Sequence, residues 1–116
     1  MTTYNWSEIP VEQMNPAVSR QVIHAANLTI ARIAIAKGAA VPTHAHINEQ
    51  VLNLISGRLQ VIVDGVETVL DGGQTLVIPP NVPHSVMAYE DVVAVDIFSP
   101  RREDWLRGDD AYLRQG

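Results

Sequence analysis

The 116-residue chain contains no cysteine. Disulfide bonds and thiolate metal sites are therefore excluded, so any bound metal has to be held by nitrogen and oxygen donors. A reducing cytosol is compatible with this composition, and a cytoplasmic location is the expectation. No apolar stretch approaches the roughly 20 residues that a membrane-spanning helix needs. The first twenty residues lack both a basic start and a continuous apolar run, so no secretory signal is visible. Basic residues are also few. Eight Lys and Arg against thirteen Asp and Glu leave a formal charge of −5, and the longest basic run is Arg101-Arg102. Such a chain offers no attractive field to nucleic acid or to an anionic membrane, and neither is expected as a partner. Internal repeats, low-complexity tracts and interdomain linkers are absent as well. With 47% hydrophobic residues, the length suits one compact domain.

What is present is a series of short apolar runs punctuated by turns. Strands are predicted over 21–25, 28–36, 50–55, 58–63, 66–70, 75–78, 84–88 and 92–98, the pattern of an all-β sandwich or barrel. Ser56-Gly57 closes one hairpin. Asp64-Gly65 forms a two-residue turn in which glycine tolerates positive φ, and Asp71-Gly72-Gly73 breaks the next strand. Residues 1–20 are polar and interrupted by proline, and are expected to form an arm on a sheet edge or on a partner subunit. Residues 21–116 make the domain proper. A single short helix is expected in the tail, with Ser99 as N-cap, Pro100 at the first helical position, and Trp105 and Leu106 as packing residues.

Three of the four histidines fall into one constellation. His44 and His46 are followed by Gln50, and His84 comes after the stiff run Pro79-Pro80-Asn81-Val82-Pro83. On a continuous strand, residues 44, 46, 48 and 50 would share a face. Two imidazoles and an amide oxygen would then converge, with a third imidazole arriving from a neighbouring strand. This donor set suits a divalent transition metal such as Ni, Zn, Mn, Fe, Co or Cu without choosing among them. Glu49 replaces Gln50 as ligand only if the strand bulges, since its parity points to the other face. His24 stands outside the constellation and is expected to be an ordinary strand or surface residue.

The spacing of these residues resembles the two motifs of the cupin superfamily. Gly38, His44, His46, Gln50 and Gly57 follow the first motif, and Gly73, Pro79, Asn81 and His84 the second. Three positions depart from it, with Gln50 for glutamate, Asn81 for glycine and Ala88 for asparagine. Asparagine tolerates a left-handed conformation, so the turn at Asn81 should survive. A neutral amide at Gln50 leaves a bound dication its full charge, which strengthens it as a Lewis acid. The resemblance implies a jelly-roll-like β-barrel carrying a metal. A small barrel with an N-terminal arm also suggests a homodimer paired across a two-fold axis.

The run Val92-Val93-Ala94-Val95-Asp96-Ile97-Phe98 carries one charge in a strand of buried type. A buried carboxylate is costly unless it is paired or used. On residue chemistry alone, pairing with Arg32 and a place in the barrel interior are equally supported. The segments HAHINEQ, PPNVPH and DIFSPRREDWL are more narrowly similar to the KdgF-type cupins of bacterial pectin and alginate breakdown. That resemblance implies His44, His46, Gln50 and His84 as metal ligands, with Asp96, Phe98 and Arg102 at the substrate. It also implies ring opening of 4,5-unsaturated uronates to a linear 5-keto-4-deoxyuronate, so the partner is a small anionic sugar. Arg101 is the alternative to Arg102 if the chain is offset by one, and Arg102 without the family match reads as a solvated charge. Other readings of the pocket are a dioxygenase, an isomerase of another small carbonyl compound, or a non-catalytic sugar- or metal-binding module.

Overall fold

The computed structural model describes residues 1–115; Gly116, the last residue of the expected domain, lies outside the described residues. Ten strands form two antiparallel sheets. One has the order β1 (Glu12–Asn15), β2 (Val18–His24), β3 (Thr29–Ile35), β10 (Val92–Ser99), β5 (Glu49–Ser56), β8 (Thr75–Ile78). The other runs β4 (Ala40–His44), β9 (His84–Ala88), β6 (Arg58–Val63), β7 (Val66–Asp71). Alternate residues of each central strand turn inward, because successive side chains leave opposite faces of a pleated sheet. In β10 these are Val92, Ala94, Asp96 and Phe98; in β3 they are Thr29, Ala31, Ile33 and Ile35. Leu52 and Leu54 of β5 and Leu59 and Val61 of β6 complete the apolar interior.

Two expectations about the chain ends are corrected. The arm expected over 1–20 is sheet from Glu12 onward, with Glu12 opposite Arg20 and a register shift between Gln13 and Asn15. Polar edge residues and Pro16 masked this pattern. Nor is the tail one helix begun at Ser99. Ser99 pairs with Glu49 in the ladder, so it ends β10 instead of capping a helix. Two single-turn helices follow, α1 (Glu103–Leu106) and α2 (Ala111–Arg114), separated by the left-handed Gly108 (φ 83°). Trp105 and Leu113 are buried, whereas Leu106 is exposed. Strand β4 was not anticipated either; Pro42 argues against a central strand, but β4 is an edge, where a missing N–H is tolerated.

The turns behave as their residues dictate. Asp64 and Gly65 both take positive φ, and Asn81 sits at φ 62°. Gly57 is constrained twice, by φ 93° and by the Asp91 carbonyl oxygen, which an added Cβ would meet at 2.2 Å. Gly65 also has positive φ, but a Cβ there meets nothing within 4 Å. Gly57→Ala is therefore expected to destabilise by well over about 1 kcal/mol, and Gly65→Ala by about that much. Urea unfolding of both variants checks this; equal losses would contradict the close approach at Gly57.

Candidate metal centre and cavity

The histidines converge by a route that the strand alternation did not anticipate. His44 ends β4 in one sheet and Gln50 begins β5 in the other, with His46 on the connection between them. The four donors thus come from facing walls of the barrel. A bulge assists: Val41 pairs with Val86 but His44 with His84, so β4 carries one extra residue over that interval. Bulges re-aim side chains, and this one sets the His44 and His84 rings 4.3 Å apart. Candidate ligand atoms of His44, His46 and His84 all lie within 4.8 Å of one another.

Hydrogen bonds decide which nitrogen each ring offers. Nδ1 of His44 lies 2.7 Å from the Pro42 carbonyl oxygen, that of His46 2.9 Å from Asn48 O, and that of His84 2.8 Å from Val82 O. A carbonyl oxygen only accepts, so each Nδ1 carries the proton and each Nε2 is a bare lone pair. Nε2 of His84 is buried without a partner. Nε2 of His46 faces Oε1 of Gln50 at 3.1 Å. Two acceptors facing each other repel unless a cation sits between them, so this contact would be relieved by an ion shared between the two residues. The residues fit a divalent metal held by His44, His46, His84 and Gln50. Glu49 is exposed and turned away.

Electrostatics agree with this assignment. Burial, reinforced by neighbouring imidazoles and Arg102, pushes His44 and His46 down to about 4 and lowers His84 as well. Neutral rings are what a metal requires. In the metal-free protein, the unfolded chain takes up imidazole protons below its ordinary value of 6.5, while the folded protein does not until near 4. Stability is therefore lost as pH falls across that interval. Asp96 acts oppositely. Burial raises its pKa from 3.8 to about 7, against smaller lowering effects of Gln50 and Arg102, so its contribution declines as pH rises. Three imidazoles outweigh one carboxyl. The melting temperature of metal-free protein is expected to fall from pH 6.5 to about 4, and a flat profile over that range would contradict the buried, neutral assignment.

Asp96 faces inward between Ala31 and Leu52, and its Oδ1 is buried without a partner. Pairing with Arg32 is excluded. Arg32 lies opposite Val95 on the outer face, its guanidinium 5.7 Å from the Trp6 ring. Arg102, far from being a solvated charge, is 1% exposed. It grips Asp104 through Nε (3.0 Å) and Nη2 (2.8 Å), and lies over the rings of Phe98 and Trp105 at 4.7 and 4.3 Å. Among the described residues its Nη1 has no partner. Arg101 points elsewhere, paired with Glu103 at 2.6 Å. Phe98 is 2% exposed and meets His46 edge to face at 5.6 Å, so its ring supports His46 and Arg102 and leaves little surface for a ligand. His24 binds Thr29 Oγ1 at 2.8 Å, outside the cluster.

Two residues of the site escaped the sequence reading. Asn48, 2% exposed, offers its carbonyl to His46 and ties the 45–48 loop to the Pro100 and Arg101 carbonyls at 2.5 and 3.2 Å. Its parity with His46 and Gln50 was the available signal. Tyr112, carried by α2, stacks on His44 with centroids 4.2 Å apart, and nothing local in the tail marks it. His44, His84, Gln50, Asp96, Arg102 and Tyr112 line a cavity of about 50 Å³.

A two-sheet β-barrel with three histidines converging at one end defines a cupin. The cupin domain family matches residues 31–98, and the chain belongs to that family. Within it, the chain is 30% identical over 102 residues to the pectin degradation protein KdgF of Dickeya dadantii (strain 3937), covering 85% of this chain and 93% of that one. It superposes on KdgF from a Halomonas species with a TM-score of 0.84 and 26% identity, covering 90% of this chain and 98% of the other. An RmlC-like cupin from Shewanella frigidimarina NCIMB 400 gives 0.85 and 31%, covering 90% and 96%.

Proposed function

We propose that the protein is a metal-dependent enzyme that opens the ring of 4,5-unsaturated uronates to the linear 5-keto-4-deoxyuronate. The observation that carries this reading is the buried, unpartnered Oδ1 of Asp96 in one cavity with His44, Gln50, His84 and Arg102, where Nε2 of His84 is likewise buried without a partner. Similarity to KdgF, a pectin degradation protein in Dickeya dadantii, supports this choice of substrate class.

The reaction is an isomerisation and needs no co-reactant. Asp96 removes the proton of the anomeric hydroxyl, the C1–O bond to the ring oxygen breaks, and the electron pair stays on that oxygen. Asp96 then returns the proton to C4, leaving a ketone at C5. Arg102 presents a fixed cation to the substrate carboxylate or a hydroxyl, and Phe98 holds Arg102 in place. A divalent ion bound by His44, His46, Gln50 and His84 supplies Lewis acidity and orientation for the sugar oxygens. Purified protein loaded with zinc or nickel is expected to abolish the ultraviolet absorbance of unsaturated galacturonate, without oxygen. Failure with every metal tried, or a requirement for oxygen, would end this reading.

The same reading places the enzyme in the cytoplasm as a homodimer. An outward stripe of aliphatics runs in register across five strands, Ile23, Ile30, Ile97, Val51 and Val77. Such a stripe suits a two-fold sheet-to-sheet contact. No described helix is long and apolar enough to cross a membrane. Ile97→Glu is expected to convert a dimer into a monomer in sedimentation equilibrium; an unchanged mass would refute this interface.

A further inference from the structure

The phenol of Tyr112 is held in a way that leaves it one unused function. Its oxygen receives Nη2–H of Arg102 at 2.8 Å and the indole N–H of Trp105 at 3.1 Å. Both lone pairs are thereby occupied, so the hydroxyl proton must be donated to something else. No acceptor for it exists among the described residues. The side chain lines the metal cavity, and its ring is stacked on His44 with an interplanar angle of 23°. Stacking on one side and two donors at the tip fix the hydroxyl beforehand, which is the arrangement that stabilises charge developing in a transition state. Other polar groups on the wall are differently committed. The imidazole nitrogens and the Gln50 oxygen point lone pairs at one another, Asp96 presents a carboxyl group, and the Trp105 N–H is already spent on Tyr112. Apart from the carboxyl of Asp96, which exchanges its proton, the phenol is the neutral O–H donor among the side chains lining the cavity.

We propose that Tyr112 is a catalytic residue that donates a hydrogen bond from its hydroxyl to the ring oxygen of the bound sugar acid. The choice of oxygen rests on the ring-opening reading. As the bond between C1 and the ring oxygen breaks, that oxygen keeps the electron pair as an enolate until the proton reaches C4. Tyr112 stabilises the enolate by a hydrogen bond and retains its own proton throughout. The two walls then divide the work, Asp96 moving the proton and Tyr112 holding the charge.

The test compares wild type with Tyr112→Phe, which keeps the ring on His44 and deletes only the hydroxyl. Three quantities are measured: zinc affinity by calorimetry, affinity of the zinc-loaded protein for D-galacturonate as an unreactive probe, and turnover of unsaturated galacturonate. The proposal expects zinc affinity within twofold, D-galacturonate binding weaker by about tenfold, and kcat lower by about 100-fold. A hydroxyl proton resonance should appear in the wild-type NMR spectrum on adding D-galacturonate and be missing from the variant, a signal that a merely structural role would not produce. Unchanged probe binding together with unchanged turnover overturns the proposal, as does a loss explained by a fall in zinc affinity, which would make Tyr112 a support for His44. Should the wild type bind D-galacturonate yet leave the unsaturated sugar untouched, the ring-opening reading fails. Tyr112 as the ligand donor then stands or falls on the binding and NMR comparison alone. Wild type that neither binds nor turns over would end both.

Discussion

Asp96→Ala is expected to retain its metal and to lose about 10²- to 10⁴-fold in turnover of unsaturated uronate, the range typical of a positioned acid–base group. Two observations separate this residue from an ordinary buried carboxyl. It lies inward on β10, between Ala31 and Leu52, and one of its oxygens has no hydrogen-bond partner. Burial lifts its pKa to about 7, which places protonated and ionised forms within reach of each other at neutral pH. The arrangement costs the fold several kcal/mol, since a carboxylate is being kept away from water. Asp96→Asn should therefore melt higher than wild type while being nearly inactive. Metal content by emission spectroscopy, melting curves and the absorbance assay decide the matter together. Full activity in either variant would remove Asp96 from the mechanism.

His84→Ala is expected to abolish metal binding while leaving the metal-free fold close to its original stability. The ring's Nδ1 is committed to the Val82 carbonyl and its Nε2 is buried without a partner, so only a metal completes it. Deleting a direct ligand should lower affinity by more than the roughly 10- to 100-fold that loss of a supporting partner costs. With metal at a hundred times its dissociation constant, wild type gains about 2.7 kcal/mol, which for a chain of this size raises the melting temperature by about 10 °C. That rise should vanish in His84→Ala. A variant that still gained most of it would place the metal elsewhere, or show that His44, His46 and Gln50 suffice.

Much of the barrel was legible because inward and outward residues alternate cleanly on the central strands. β6, β8 and β9 lie over the expected residues, and β10 is longer by only Ser99. β1 and β4 were hidden because both are edge strands, whose pairing on one side only relaxes the demand for apolar residues and tolerates Pro42. The tail misled because Ser99-Pro100 is a good local helix start, yet Ser99 is held by its ladder partner Glu49. Tertiary pairing overrode the local preference.

Motif spacing by itself determined the cupin family and singled out the three histidines that the fold brings together, since both follow from residue type at a fixed interval. It did not determine how they meet. The expectation of one strand face was wrong in mechanism, for the donors approach from opposite sheets across a bulged edge. Only the folded chain decided that Arg32 turns outward, that Arg102 is sealed between Phe98 and Trp105, and that Tyr112 reaches back over His44 from a residue 68 positions later. The physical reason is common to all three. Ligand spacing is written in local backbone geometry, whereas burial and pairing depend on which surfaces the sheets bring together, and no short segment carries that information.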